Sequence, residues 1–230
     1  MTLELLVLPS AWGLRNASAF NLKAEALLSV SGLDFTKVEA LPSRGPKGKL
    51  PALVDGDRCI GDSSLIQAHL ESVYEIDFDG GLSSEQRADA EAYRRMAEEH
   101  LYFVNLHIRW MLFPAITRDA FFGAIPAPIR GLVFGKLRRT VKRTLWGQGL
   151  SRHTTDEILA FGIEDVRAIA QKLRERPFLL GDRATSVDAA VYPQILNTAA
   201  VPYDTSLRTF CRAQDNLMAY CERCEEAFFS

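Results

Sequence analysis

The hydrophobic period of the chain changes once, near residue 80. Before that point, short apolar runs alternate with two helical stretches. Leu3 to Leu8 is almost continuously apolar and is followed by the turn-rich segment Pro9 to Asn16, the signature of a short buried strand. Phe20, Ala24, Leu27 and Leu28 then recur at i, i+4, i+7 and i+8, one face of a helix. Ser18 is a suitable N-cap for that helix, and Gly32 a suitable stop. Phe35 to Glu39 gives a second strand, parallel to the first if the helix crosses between them. Two further short strands flank Asp55-Gly56-Asp57, a hairpin turn, with Pro51 at a strand start, where a missing N–H is tolerated. Asp62-Ser63 opens a helix running from Ser64 to Tyr74.

From Ser83 onward the pattern is helical. Ser83 and Gln86 make a capping-box pair ahead of a long helix that Pro114 should end. Phe121 to Pro128 reads as a loop, and helical runs follow near 129–146, 155–175, 186–200 and 207–227. The acidic, glycine-paired stretch from Asp77 to Leu82 interrupts the periodicity. The expected organisation is an α/β N-terminal domain over 1–77 in the order βαβ–ββα, and an all-α C-terminal domain over 83–230.

Composition narrows the function. With 230 residues and 47% hydrophobic content the chain can bury a substantial core, and a net charge of -2 argues against a nucleic-acid partner. Neither a secretory signal pattern nor a run of roughly 18 apolar residues is visible, so a cytoplasmic location is expected. Four cysteines are too few for a disulfide framework. Cys221 and Cys224 have CxxC spacing inside a helical pattern with no second ligand pair, so they read as helix positions and no metal is expected. The basic cluster from Lys136 to Arg143 reads as a solvated helix face, with membrane-surface association as the alternative.

The βαβ–ββα order, the proline opening the third strand and the Asp62-Ser63 pair resemble the N-terminal domain of the glutathione transferases. Gly181-Asp-Arg-Ala-Thr185-Ser-Val-Asp188 resembles the N-capping box of that family's C-terminal domain, with Thr185 capping a buried helix and Asp188 bonding back to the cap backbone. A narrower resemblance, to the metaxin and failed-axon-connections branch, is carried by Gly45-Pro-Lys-Gly-Lys-Leu-Pro, Ile108-Arg-Trp, Leu145 to Glu157, Pro177-Phe-Leu-Leu-Gly-Asp and Asn216 to Arg223. The resemblance implies a thioredoxin-like glutathione-binding domain, a helical partner domain and a homodimer formed through the helix after Asp62-Ser63 and the first long helix.

A transferase of this kind must present a thiolate, because a thiol near pKa 8.5 is mostly protonated at neutral pH. A donated hydrogen bond and the positive end of a helix both favour the anion. Ser18 offers both and, by the resemblance, occupies the position of the thiolate-activating residue; its other reading is a plain helix cap, and Ser10 is the second candidate hydroxyl. The resemblance also implies a cis Leu50–Pro51 bond, which would turn the Leu50 backbone toward the tripeptide as an added strand. Asp62 suits the γ-glutamyl ammonium, and Ser63 with helix N–H groups suits its carboxylate. Arg44, Lys47 and Lys49 offer charge for the glycyl carboxylate, with Lys49 adjoining Leu50. Trp12, Phe103, His107 and Trp110 are the candidate lining of an acceptor pocket, packing being their other reading. The expected activity is conjugation of glutathione to a small electrophile. A non-catalytic metaxin-like scaffold and a glutathione-dependent reductase or isomerase are the alternatives.

Overall fold

In the computed structural model, which describes residues 2–230, the N-terminal region is a four-stranded sheet in the order β2-β1-β3-β4. β1 (Leu3–Val7) pairs in parallel with β2 (Phe35–Glu39) and antiparallel with β3 (Ala52–Asp55), which pairs with β4 (Arg58–Gly61). α1 (Ala19–Val30) makes the crossover that the parallel pair requires, and α2 (Ser63–Val73) follows β4. Gly32 and Gly56, at the end of α1 and in the hairpin turn, take φ of 73° and 57°, which glycine adopts without strain.

The rest is helical. α3 (Ser84–Arg95) starts on the Ser83–Gln86 capping box and passes through a π-helical segment (Met96–Leu101) into α4 (Tyr102–His107). A second π-helical segment (Ile108–Leu112) ends the rod. Pro114 stops it as expected, but the same proline opens α5 (Pro114–Phe122), so part of the stretch read as loop is helix. α6 (Ala127–Gln148), α7 (Thr155–Leu173) and α8 (Ser186–Ala200) match the periodic runs. The run expected over 207–227 is two helices, α9 (Ser206–Arg212) and α10 (Asp215–Phe229).

One apolar core runs through both regions, from Leu5, Leu27 and Ile66 on the sheet side to Val104, Val166 and Tyr192 among the helices. α8 packs against both α1 and α10. Thr185 N–H and its hydroxyl donate to Asp188, which fixes the start of α8 inside this core. An ionic tie crosses the same junction: Lys23 of α1, 1% exposed, donates to Glu98 at 2.7 Å and to Ser64 at 3.0 Å, while Arg94 donates to the other Glu98 oxygen at 2.7 Å. Burial lowers the Lys23 ammonium below its ordinary range, against the pull of Glu98.

Candidate functional site

The antiparallel register sets Leu6 of β1 opposite Ala52 of β3, and Ala52 opposite Gly61 of β4. The chain leaving β1 toward Ser18, the chain entering β3 from Leu50–Pro51, and the chain leaving β4 into Asp62-Ser63 therefore emerge on one edge of the sheet. The Leu50–Pro51 bond is cis. Asp62 N–H donates to the Pro51 carbonyl at 3.3 Å, which brings the two sequence pairs into contact. Asp62 has φ of 94°, a rare backbone region for a non-glycine residue, and its carboxylate accepts from Ser64 N–H at 3.0 Å as the cap of α2. Ser63 is buried beneath it, whereas Asp62 faces outward.

Ser18 is the cap of α1: its hydroxyl oxygen accepts from Asn21 N–H at 3.4 Å, and its own N–H donates to Asn16 at 2.9 Å. Asn16 also donates to the Leu8 carbonyl at 2.8 Å, which ties the loop to the end of β1. Ser10 lies apart, its hydroxyl donating to the Arg15 carbonyl at 2.9 Å.

A cleft of about 490 Å³ opens between the two regions, within the usual range for small-molecule sites. Ser18, Lys49, Leu8, Phe103, Leu106 and Trp110 are among its lining residues. Trp110 is stacked on Phe134 at 5.3 Å, so α6 supplies the far wall. Two of the four residues expected to line an acceptor pocket sit elsewhere. His107 turns to Ser151 at 3.1 Å, and burial lowers its imidazole pKa. Trp12, at φ 56°, lies behind the wall, edge-on to Phe121 and Tyr203 at 5.0 and 5.9 Å. Regular helical spacing puts Phe103, His107 and Trp110 on one face. The cleft receives Phe103, Leu106, Arg109 and Trp110, a stripe at i, i+3, i+6 and i+7 that ordinary helical spacing equally allows, and His107 falls just off it.

Arg109 is the residue that sequence reasoning missed. Its guanidinium donates to the Ala17 carbonyl through both terminal nitrogens at 3.3 Å and to Asn197 at 3.0 Å. Trp12 and Phe121 flank it at 5.1 and 5.5 Å. Burial lowers its pKa, and tyrosines rather than acids oppose that shift. The only trace in the sequence was its place in the Ile108-Arg-Trp motif.

Among the four cysteines, Cys211, Cys221 and Cys224 are buried and Cys59 is exposed. Burial pushes the Cys211 thiol up to about 12, and raises Cys221 and Cys224 too. None of the four lines the cleft.

Comparison with known proteins agrees with this architecture. The glutathione S-transferase N-terminal domain matches residues 19–116, and the glutathione S-transferase C-terminal domain matches residues 162–224. An isoprene-epoxide–glutathione S-transferase of Rhodococcus sp. strain AD45 is 29% identical, with 95% of each chain covered. Failed axon connections of Drosophila melanogaster is 29% identical over 78% of this chain and 46% of its own length. Metaxin-1 of Mus musculus is 28% identical over 99% of this chain and 75% of its own. A glutathione S-transferase of Ceriporiopsis subvermispora, solved in complex with glutathione, superposes with a TM-score of 0.69 at 15% identity, covering 100% of this chain and 99% of that one. In fold and in sequence, the chain belongs to the glutathione transferase superfamily and resembles its metaxin and failed-axon-connections members.

Proposed function

We propose that the protein binds glutathione at the sheet edge and conjugates it to a small electrophile held in the cleft. The observation that carries this reading is that Ser18 and Lys49 line one largely apolar cavity, while the cis Leu50–Pro51 bond follows Lys49 directly and the Pro51 carbonyl accepts from Asp62 N–H. Leu50 pairs through its backbone with the cysteinyl unit of the tripeptide. Asp62 takes the γ-glutamyl ammonium, Ser63 and the first N–H groups of α2 take the carboxylate, and Lys49 takes the glycyl carboxylate. Capping does not compete with these roles. Ser18 caps through an oxygen lone pair, leaving its O–H free to donate to a thiolate, and one Asp62 oxygen caps α2 while the other remains available. Glutathione acts as co-substrate, and the protein works as a homodimer through α2 and α3, with Leu65 and Val73 of α2 exposed.

Steady-state conjugation of glutathione to chlorodinitrobenzene by Ser18→Ala tests this. We expect kcat/KM to fall about 100-fold, the scale of losing one anion-stabilising donor, with glutathione affinity held within about threefold. Unchanged turnover would remove Ser18 from the mechanism.

A second reading, a scaffold that binds a membrane or protein surface, is favoured by α6. That helix carries Arg130, Lys136, Arg138, Arg139, Lys142 and Arg143 with no acid, and exposes Ile129, Leu132 and Trp146. Sedimentation with anionic vesicles, lost on reversal of the Arg139, Lys142 and Arg143 charges, would support it.

A further inference from the structure

α6 is a 22-residue helix in which only Phe134 and Leu145 are buried. Phe134, Arg138, Val141 and Leu145 recur at four- and three-residue steps on the side against the protein. Phe134 stacks on Trp110, Arg138 donates to the Trp110 carbonyl at 2.9 Å, and Val141 lines the cleft. Ile129, Leu132, Lys136, Arg139, Arg143 and Trp146 recur at the same steps on the opposite side. All six are exposed, Leu132 at 77% and Trp146 at 57%.

This outer stripe has an apolar half and a basic half. From Ala120 to Leu137, through the 120° bend between α5 and α6, Arg130 and Lys136 are the only charged residues. Arg130 folds back on the Ile125 carbonyl at 3.0 Å. Five cations then crowd Lys136 to Arg143, and no acid occurs between Asp119 and Asp156. Among the described residues, no ion pair reaches Lys136, Arg139, Lys142 or Arg143.

Resting on the conjugation reading, and narrowing the surface reading to lipid, we propose that the α5–α6 elbow inserts its apolar corner into an anionic bilayer, and that the cleft takes apolar electrophiles dissolved there.

The charge pattern selects this partner. An apolar corner continuous with unopposed cations fits a surface that is anionic outside and apolar beneath, which an acidic bilayer is. A second copy of α6 would set like charges together, and a polyanion would leave Ile129, Leu132 and Val133 in water. Trp146, at the basic end of the stripe, suits headgroup depth. The elbow is also a wall of the cleft: Phe121, Phe122, Leu137, Val141 and Thr144 line it, and Leu137 is itself exposed. An acceptor in the acyl layer therefore moves from lipid to cleft along apolar side chains, without the cost of entering water.

The test pairs vesicle flotation with conjugation of two esters of 4-chloro-3,5-dinitrobenzoic acid, the water-soluble methyl ester and the bilayer-resident hexadecyl ester. In both, the thiolate sulfur forms a C–S bond to the ring carbon that releases chloride, so only the acceptor's location differs. The parent should bind phosphatidylcholine vesicles carrying about 30% phosphatidylserine, and Arg139→Gln/Arg143→Gln should lower that partition about 30-fold, about fivefold per charge. Leu132→Asp should lower it about tenfold. These exposed side chains lie outside the cleft lining, so methyl ester turnover should stay unchanged, while hexadecyl ester turnover on vesicles falls with binding. A parent that does not bind anionic vesicles overturns the inference, whatever its turnover of the methyl ester. Binding indifferent to Leu132→Asp overturns insertion and leaves a purely electrostatic surface contact. Equal hexadecyl ester turnover in parent and Leu132→Asp overturns supply from the membrane. A parent that binds vesicles but conjugates neither ester overturns the conjugation reading and leaves the anchor standing.

Discussion

Replacing Asp188 with alanine takes one acceptor away from four donors. Leu179 N–H, Thr185 N–H, the Thr185 hydroxyl and the Tyr220 hydroxyl reach its carboxylate at 3.0, 2.9, 2.9 and 3.0 Å, and the residue is fully buried. A hydrogen bond to a charged group contributes about 1.5–3 kcal/mol, so four amount to about 6–12 kcal/mol gross. Burying the carboxylate costs several kcal/mol in return, consistent with the rise of its pKa above the ordinary carboxylate range. A net loss of about 4 kcal/mol is expected, a large share of the 5–15 kcal/mol typical of a whole fold. Urea unfolding followed by circular dichroism measures it, with stability taken from linear extrapolation. Asp188→Asn keeps the volume and one acceptor oxygen and should lose about 2 kcal/mol, whereas Thr185→Ala should lose about 1 kcal/mol. A loss below about 1 kcal/mol in Asp188→Ala would refute the reasoning, since the network would then contribute no more than the bare packing of its atoms.

Maleimide should label one thiol rapidly in the native protein, at Cys59, and four in urea, because the other three are buried and held protonated; intact mass reads the count, and fast labelling of Cys221 would contradict it. Gly162→Ala would set a methyl 2.7 Å from Leu207 and 2.9 Å from Val104. The overpacking penalty of about 1–3 kcal/mol exceeds the roughly 1 kcal/mol gain in helix propensity, so the melting temperature should fall by a few degrees. Asp165, bonded to His100 at 2.6 Å, raises the imidazole pKa. A raised folded-state pKa gives stability that is complete below the unfolded value near 6.5 and is lost as pH rises through the folded one. His100 is 41% exposed, so the effect is roughly 0.5 kcal/mol. Denaturation midpoints should drop across that window in the parent, and His100→Gln should flatten the profile.

What could be read from the sequence was whatever carries a local chemical signature. The short apolar runs between turn signals and the period-3.6 stretches carry the βαβ–ββα order, and Ser83 with Gln86 and Thr185 with Asp188 mark helix starts that the hydrogen bonds reproduce. The cis geometry at Leu50–Pro51 was available only through family resemblance, because nothing in the dipeptide itself distinguishes it from a trans strand start. α5 was missed because a proline that ends one helix can equally open the next. The break between α9 and α10 falls at Ala213–Gln214, residues with no turn chemistry, so the pair read as one helix. The two π segments also lack a sequence signature. Helical spacing alone admits both Phe103–Leu106–Trp110 and Phe103–His107–Trp110 as a stripe, so the pattern points to His107 and passes over Arg109. A charged residue in a helix is by default solvated, and only the tertiary structure shows that this one is enclosed by Trp12, Phe121, Ala17 and Asn197.

The central claim, that the edge formed by Leu50–Pro51 and Asp62-Ser63 is a tripeptide site, is tested most directly by calorimetric titration of glutathione into the parent protein and into Ser63→Ala. The account predicts one site per chain, with a dissociation constant below about 1 mM, weakened about tenfold (about 1.4 kcal/mol) in Ser63→Ala. Absence of binding by the parent at about 10 mM glutathione, or equal binding by the two proteins, would contradict it.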